Sequence, residues 1–236
     1  MTGASFASLL HVEERLIAAP KLVTQTASNT GSNTGSTKTA VMPPGIVAGN
    51  LLLLLCRERN TGSNILTFPA GWTEKWDTSG SGLAWRVADG SEGASINYTG
   101  QGNRSANCVL QISGWASSMG AAAIEVAAVT GNSANPDPPS ITPSWSGPTL
   151  YVAFEGIWAT VNTTAGPSGY INFQNTKATN DPNASTATKE SITGGVENPG
   201  VFTNSGTTTW GAMTVAIRSA SALRRIADEI REREPA

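Results

Sequence analysis

The feature that most constrains this chain is an ordered internal repeat. Gly49, Leu52, Leu54, Pro69, Gly71 and Trp72 recur as Gly147, Leu150, Val152, Pro167, Gly169 and Tyr170, at a constant offset of 98 residues. Further along, Gly90-Ser91-Glu92 is echoed by Gly195-Val196-Glu197, and Leu110-Gln111-Ile112 by Val215-Ala216-Ile217, at an offset of 105, so the second copy carries a seven-residue insertion. Each copy has the same order: a glycine turn, an apolar strand, a loop, Pro-x-Gly-aromatic, a Gly-x-Glu turn and a closing strand. The copies span about 43–113 and 141–218. A half-sandwich of roughly 70 residues leaves an apolar face in water unless something covers it, and the other half is the nearest cover. The expected fold is therefore all-β: a jelly-roll-like β-sandwich built from two related halves within residues 21–218, with two independent sandwiches as the alternative.

Composition agrees with many short strands joined by tight turns. Charged residues are only 14% of 236, and Gly (25) and Pro (13) punctuate short apolar runs. Strands are predicted over 21–27, 37–42, 51–57, 83–88, 94–99, 106–113, 122–130, 149–158, 185–193 and 210–218. The run Leu51–Leu55 is far short of the roughly 20 residues of a membrane helix and reads as a strand buried on both faces. The Ser-Asn-Thr-Gly repeat over 28–36 reads as a polar edge hairpin. Cys56 and Cys108 each sit in an apolar run, which favours buried thiols over a disulfide.

Helical period is confined to the ends. Residues 1–20 form an N-terminal arm in which Phe6, Leu9, Val12 and Leu16 share one side of a helix that Pro20 stops. In 219–236, Leu223, Ile226 and Ile230 follow three-and-four spacing, and Glu229 and Arg233 form a favourably ordered pair. Two turns of apolar seam are too short to stand alone, so these helices must dock on something, and the apolar residues of both are candidate partner-binding positions. Glu13 and Glu14 interrupt the apolar stretch that a secretory signal needs, and Arg15 is the first basic residue.

Several strings resemble a broad group of virion proteins of tailed bacteriophages. They are Pro43-Pro44-Gly45 with Gly49-Asn50-Leu51-Leu52, Pro69-Ala70-Gly71-Trp72, Trp85-Arg86-Val87-Ala88-Asp89-Gly90-Ser91-Glu92, and Trp210 through Arg218. In that group such strings recur in β-sandwich domains of capsid decoration, tail and fibre proteins, and the resemblance covers about residues 20–218. It implies a non-enzymatic structural role on a virion, with the capsid surface favoured over the tail and synthesis in the host cytoplasm. The implied partners are the major capsid protein or other virion proteins and further copies of the chain, a homotrimer being favoured. The alternative it leaves open is a tail-fibre or spike module that recognises host glycan.

The chemical inventory points the same way. A net charge of −2 without a basic stripe argues against nucleic acid. His11 is the only histidine and lies in the arm, so no histidine-based triad or zinc set is expected within the sandwich. Glu92 and Glu197 tempt as a glycosidase pair, but a Glu at the same turn of both copies more simply accepts backbone or Arg hydrogen bonds. Asp137 and Asp181 lack the spacing of a calcium loop. No cofactor, metal, catalytic residue or membrane segment is expected. Of the seven tryptophans, Trp85, Trp158 and Trp210 read as core, whereas Trp72, Trp76 and Trp145, in turn-rich segments, are the candidates for a glycan-binding or interface role.

Overall fold

A computed structural model of the chain describes residues 19–30, 35–59, 66–101, 104–158, 161–176 and 182–220. The arm residues Phe6, Leu9 and Leu16, the C-terminal Leu223, Ile226 and Ile230, His11 and Asp181 lie outside the described residues. Among those described, the first half contains β1 (Lys21–Thr30), β2 (Thr37–Val41), β3 (Leu51–Glu58), β4 (Thr73–Thr78), β5 (Ser81–Val87), β6 (Ser95–Thr99) and β7 (Ser105–Ser113). The second contains β8 (Ile124–Ser133), β9 (Thr149–Ile157), β10 (Thr163–Ala165), β11 (Ile171–Asn175), β12 (Asn183–Ser191), β13 (Thr203–Asn204) and β14 (Thr208–Arg218). A short 3-10 segment, Ser117–Ala123, joins the halves.

The duplication is written into the topology. The first half forms an antiparallel sheet in the order β1-β7-β3-β5-β4, and the second forms β8-β14-β9-β12-β11, the same order with equivalent strands. Each half thus supplies one whole five-stranded sheet, so the sandwich of two related halves is present without strands being shared between its sheets. The ladders also align: Leu22, Ile112, Leu51 and Val87 share one rung, and Ile124, Ile217, Leu150 and Glu190 share its counterpart. On this register Leu51 matches Leu150, one residue away from the offset read along the sequence. The slip matters because side chains alternate faces along a strand. The turns keep the sequence offset: Gly71 (φ 83°) and Gly169 (φ 79°) occupy the third position of type II turns, closed by Trp72 N–H to Pro69 O (3.1 Å) and Tyr170 N–H to Pro167 O (3.2 Å).

Alternation sorts the core into layers. Leu51, Leu53 and Leu55 with Leu110 and Ile112 face Leu150, Val152 and Phe154 with Val215 and Ile217 in one shared core between the sheets. The opposite face of β3 packs Leu52, Leu54 and Cys56 beneath the small β2–β6 sheet, with Met42, Tyr98 and Trp72. The leucine run is therefore buried on both faces, as its lack of alternation implies. In the second half Tyr151 and Ala216 meet Ile141 and Trp145 on the outer side. Cys56 and Cys108 are buried free thiols, and the burial holds Cys108 up at about 12.

All ten strands expected from the sequence are present. The ones not anticipated, β4, β10, β11 and β13, are short or polar. The edge hairpin over 28–36 is corrected: β1 pairs with β7 and β2 with β6, so the two strands flanking that segment belong to different sheets.

The sheets are related by an approximate two-fold running along the strands. Both central strands start at one end, where Ala220 N–H reaches Gly114 O (2.9 Å) and Ser219 N–H reaches Pro148 O (3.1 Å). Edge strand β1 lies over β11 and β12, where Gln25 Nε2 donates to Asn172 O (2.7 Å) and Thr186 Oγ1 donates to Gln25 Oε1 (3.2 Å). On the axis the symmetry is broken. Arg57 and Gly156 occupy equivalent rungs and touch, and a Cβ at 156 would lie 2.7 Å from that of Arg57. Gly156→Ala is expected to lower stability by about 1–3 kcal/mol through overpacking, whereas Gly206→Ala, with its nearest neighbour at 3.6 Å, stays within about 0.5 kcal/mol. Urea unfolding midpoints of the two variants make the comparison.

Candidate functional site

The tryptophans named from sequence separate on burial. Trp72 (9% exposed) is covered by the β2–β6 layer, and Trp145 (6%) donates Nε1–H to Thr149 Oγ1 (3.0 Å) with Arg218 over its ring at 5.8 Å. Neither offers a ring face to a sugar, because each fills the space over its own half's outer sheet face. The glycan or interface role expected for Trp72 and Trp145 is corrected accordingly. Trp158, expected in the core, is 37% exposed at the end of β9. Trp76, half-buried on edge strand β4, keeps part of its ring open beside a cleft between the two sheets.

The paired glutamates have separate structural partners. Glu92 accepts Asp89 N–H (2.7 Å) and Gly90 N–H (3.1 Å), with Arg86 at 3.4 Å, so the backbone and Arg bonds expected of it are present. Glu197 is held by Lys189 Nζ (2.9 Å) and by the Tyr170 hydroxyl (3.3 Å), beneath a Lys189 cation that sits 5.9 Å from the Tyr170 ring. Burial, and after it the Glu197 carboxylate, push the Tyr170 hydroxyl well above the ordinary range. Among the described residues no group of three or more His, Cys, Asp or Glu is placed to hold a metal ion, and no helix is long and apolar enough to cross a membrane.

Of the other buried charged side chains, which include Lys38, Glu58 and Asp77, Glu155 and Arg57 lie on the two central strands. Glu155, fully buried on the outer side of β9, sits in a polar nest: the Thr163 hydroxyl donates to one oxygen, Asn204 Nδ2 to the other (3.4 Å), and Ser185 Oγ backs Thr163 (3.0 Å). Its equivalent in the first half is Cys56, which sits among leucines. Burial outweighs those donors and lifts the Glu155 carboxyl from 4.5 to about 7. Arg57, 1% exposed, lies between the sheets against Gly156. Its Nη1 donates to Ser79 O and to Ser81 Oγ (3.2 Å), while Nε and Nη2 have no partner. The signal for both was visible, a charge embedded in an apolar strand run (LLLLLCRE and LYVAFEGI), but that pattern alone does not reveal which face the charge takes.

At the end of the sandwich, the described chain begins and stops in one place. Pro20 packs on Gly114, whose carbonyl accepts the Ala220 N–H. No protein-family model, no curated protein and no solved structure matches this chain.

Glu155 gives a stability signature with a definite sign. Its folded value lies above the unfolded one, so the folded state holds the proton more tightly. That contribution is complete below about pH 4.5 and is lost as pH rises towards 7. Relative to Glu155→Gln, the wild type is expected to lose on the order of 3 kcal/mol across that window. Chemical denaturation of both proteins at stepped pH reads the difference.

Proposed function

We propose that this chain is a non-enzymatic virion structural module of the capsid-decoration kind, which binds the major capsid protein through its two ends. One observation carries the reading: Pro20 and Ala220, from which the arm 1–20 and the segment 219–236 read in the sequence run on, both meet Gly114. Each seam read from the sequence is too short to be stable alone, and in this proposal Phe6, Leu9 and Leu16 bind the capsid protein together with Leu223, Ile226 and Ile230. The sandwich supplies the rigid body behind them. The strings that resemble those of phage virion proteins motivate the same reading.

Trp76 favours a second reading, a receptor-binding module for host glycan, since among the three tryptophans singled out from sequence it alone remains partly open.

Deleting residues 1–18 or 221–236 spares Pro20 and Ala220. Each truncation is expected to leave the thermal midpoint within about 2 °C of the full chain, in line with small surface effects, and to abolish binding to decoration-free particles in co-sedimentation. A truncated protein that loads to full density would remove that segment from the proposal.

A further inference from the structure

The approximate two-fold predicts that whatever closes one side of the sandwich should close the other. On the first side Gln25 bridges β1 to β11 and β12. On the second, where β4 faces β8, a cleft of about 310 Å³ opens instead. Its walls carry Trp76, Thr78 and Ser81 from one sheet and Thr130, Gly211 and Met213 from the other. The opening is thus a departure from the fold's own symmetry.

Behind the cleft stands the half-satisfied guanidinium of Arg57. Ser81 belongs to both: it lines the cleft, and its Oγ accepts from Arg57 Nη1 at 3.2 Å. Gly211 belongs to both as well. A Cβ there would collide with Ser81 Oγ and lie 3.8 Å from Arg57 Nη1, so the bare backbone at 211 keeps the wall between cleft and guanidinium thin. Among the described residues no carboxylate pairs with Arg57. A buried cation with unmade hydrogen bonds costs several kcal/mol unless an anion or water completes it.

We propose that the β4–β8 cleft binds a carboxylated sugar residue, its carboxylate accepting from the Ser81 hydroxyl that Arg57 Nη1 backs and its ring face lying on Trp76. Each part of the ligand answers a part of the cleft. The Ser81 hydroxyl accepts from the buried Arg57 cation, so its own proton is left for a carboxylate and the positive charge behind it favours an anion. The Trp76 ring offers the apolar face on which a pyranose stacks, and the Thr78 and Thr130 hydroxyls suit sugar hydroxyls at the rim. The volume, at the lower end for ligand pockets, holds one ring rather than an extended chain. This deepens the glycan-recognition reading by naming the ligand class, and it is independent of the terminal segments.

The test is calorimetric titration of the full chain with D-glucuronic acid and N-acetylneuraminic acid, and with D-glucose and acetate as probes lacking one half of the ligand. Saturable binding of at least one acidic sugar, roughly 10-fold or more tighter than glucose or acetate, is the expected result; charge-assisted hydrogen bonds set that scale. Arg57→Gln and Trp76→Leu are each expected to weaken it at least 10-fold. Thr130→Trp, an exposed edge position that leaves Arg57 untouched, fills the cleft and is expected to abolish binding in a protein with an unchanged thermal midpoint. Affinity unaffected by Thr130→Trp, or no heat with either acid, overturns the proposal. Binding of neutral glycans on an array without binding of acidic ones overturns it too, while leaving glycan recognition standing; silence on the whole array removes both.

Discussion

Everything in this molecule depends on the apolar contact between its two sheets. Each half carries a full five-stranded sheet whose inner face is leucine, isoleucine, valine and phenylalanine. Neither face is tolerable in water, at about 25 cal/mol for each Å² of apolar surface, and among the described residues neither half has an α-helix to lay over it. The equivalent face of the other half is the cover. This is why the sequence runs as two copies and why the linker Ser117–Ala123 is short.

Once two copies share a core, positions on the axis meet their own equivalents, and identical residues become a liability there. Arginine on both sides would place like charges in contact within a dry interface. Here Arg57 meets Gly156 instead. Away from the axis the halves have diverged without clashing: the Cys56 position is apolar beneath β2–β6, and its equivalent, Glu155, anchors a hydroxyl and amide nest. The open β4–β8 side belongs to the same drift from symmetry. A duplicated fold holds two versions of each place, so one can keep the packing role while the other becomes chemically distinct.

Much of this was legible in the residues. The apolar run of β3, the alternation in β7 and β14, and the paired Pro-x-Gly-aromatic strings identified strands, halves and turn positions, because burial and positive φ leave direct marks on sequence. Other features were not. Polar β4 and the few residues of β10 and β13 carry no periodic signal, and their pairing is set by neighbours distant in sequence. The one-residue shift between the repeat and the ladder arises between Gly147 and Leu150, where an extra residue alters the facing while the turn glycines stay aligned. Trp72 and Trp145 sit in turns, yet the layer over each sheet buries them. Arg57 showed as a charge after five leucines and a cysteine, but its position on the axis follows only from the packing of the halves.

The central claim is that the two sheets stand or fall together. Native-state hydrogen exchange under increasing urea, resolved at β3 and β7 in the first sheet and β9 and β14 in the second, tests it most directly. Shared burial predicts one opening free energy and one denaturant dependence for all four strands. A sheet that exchanged through its own lower-energy opening, while the other stayed protected, would show that each half covers itself and would contradict the account.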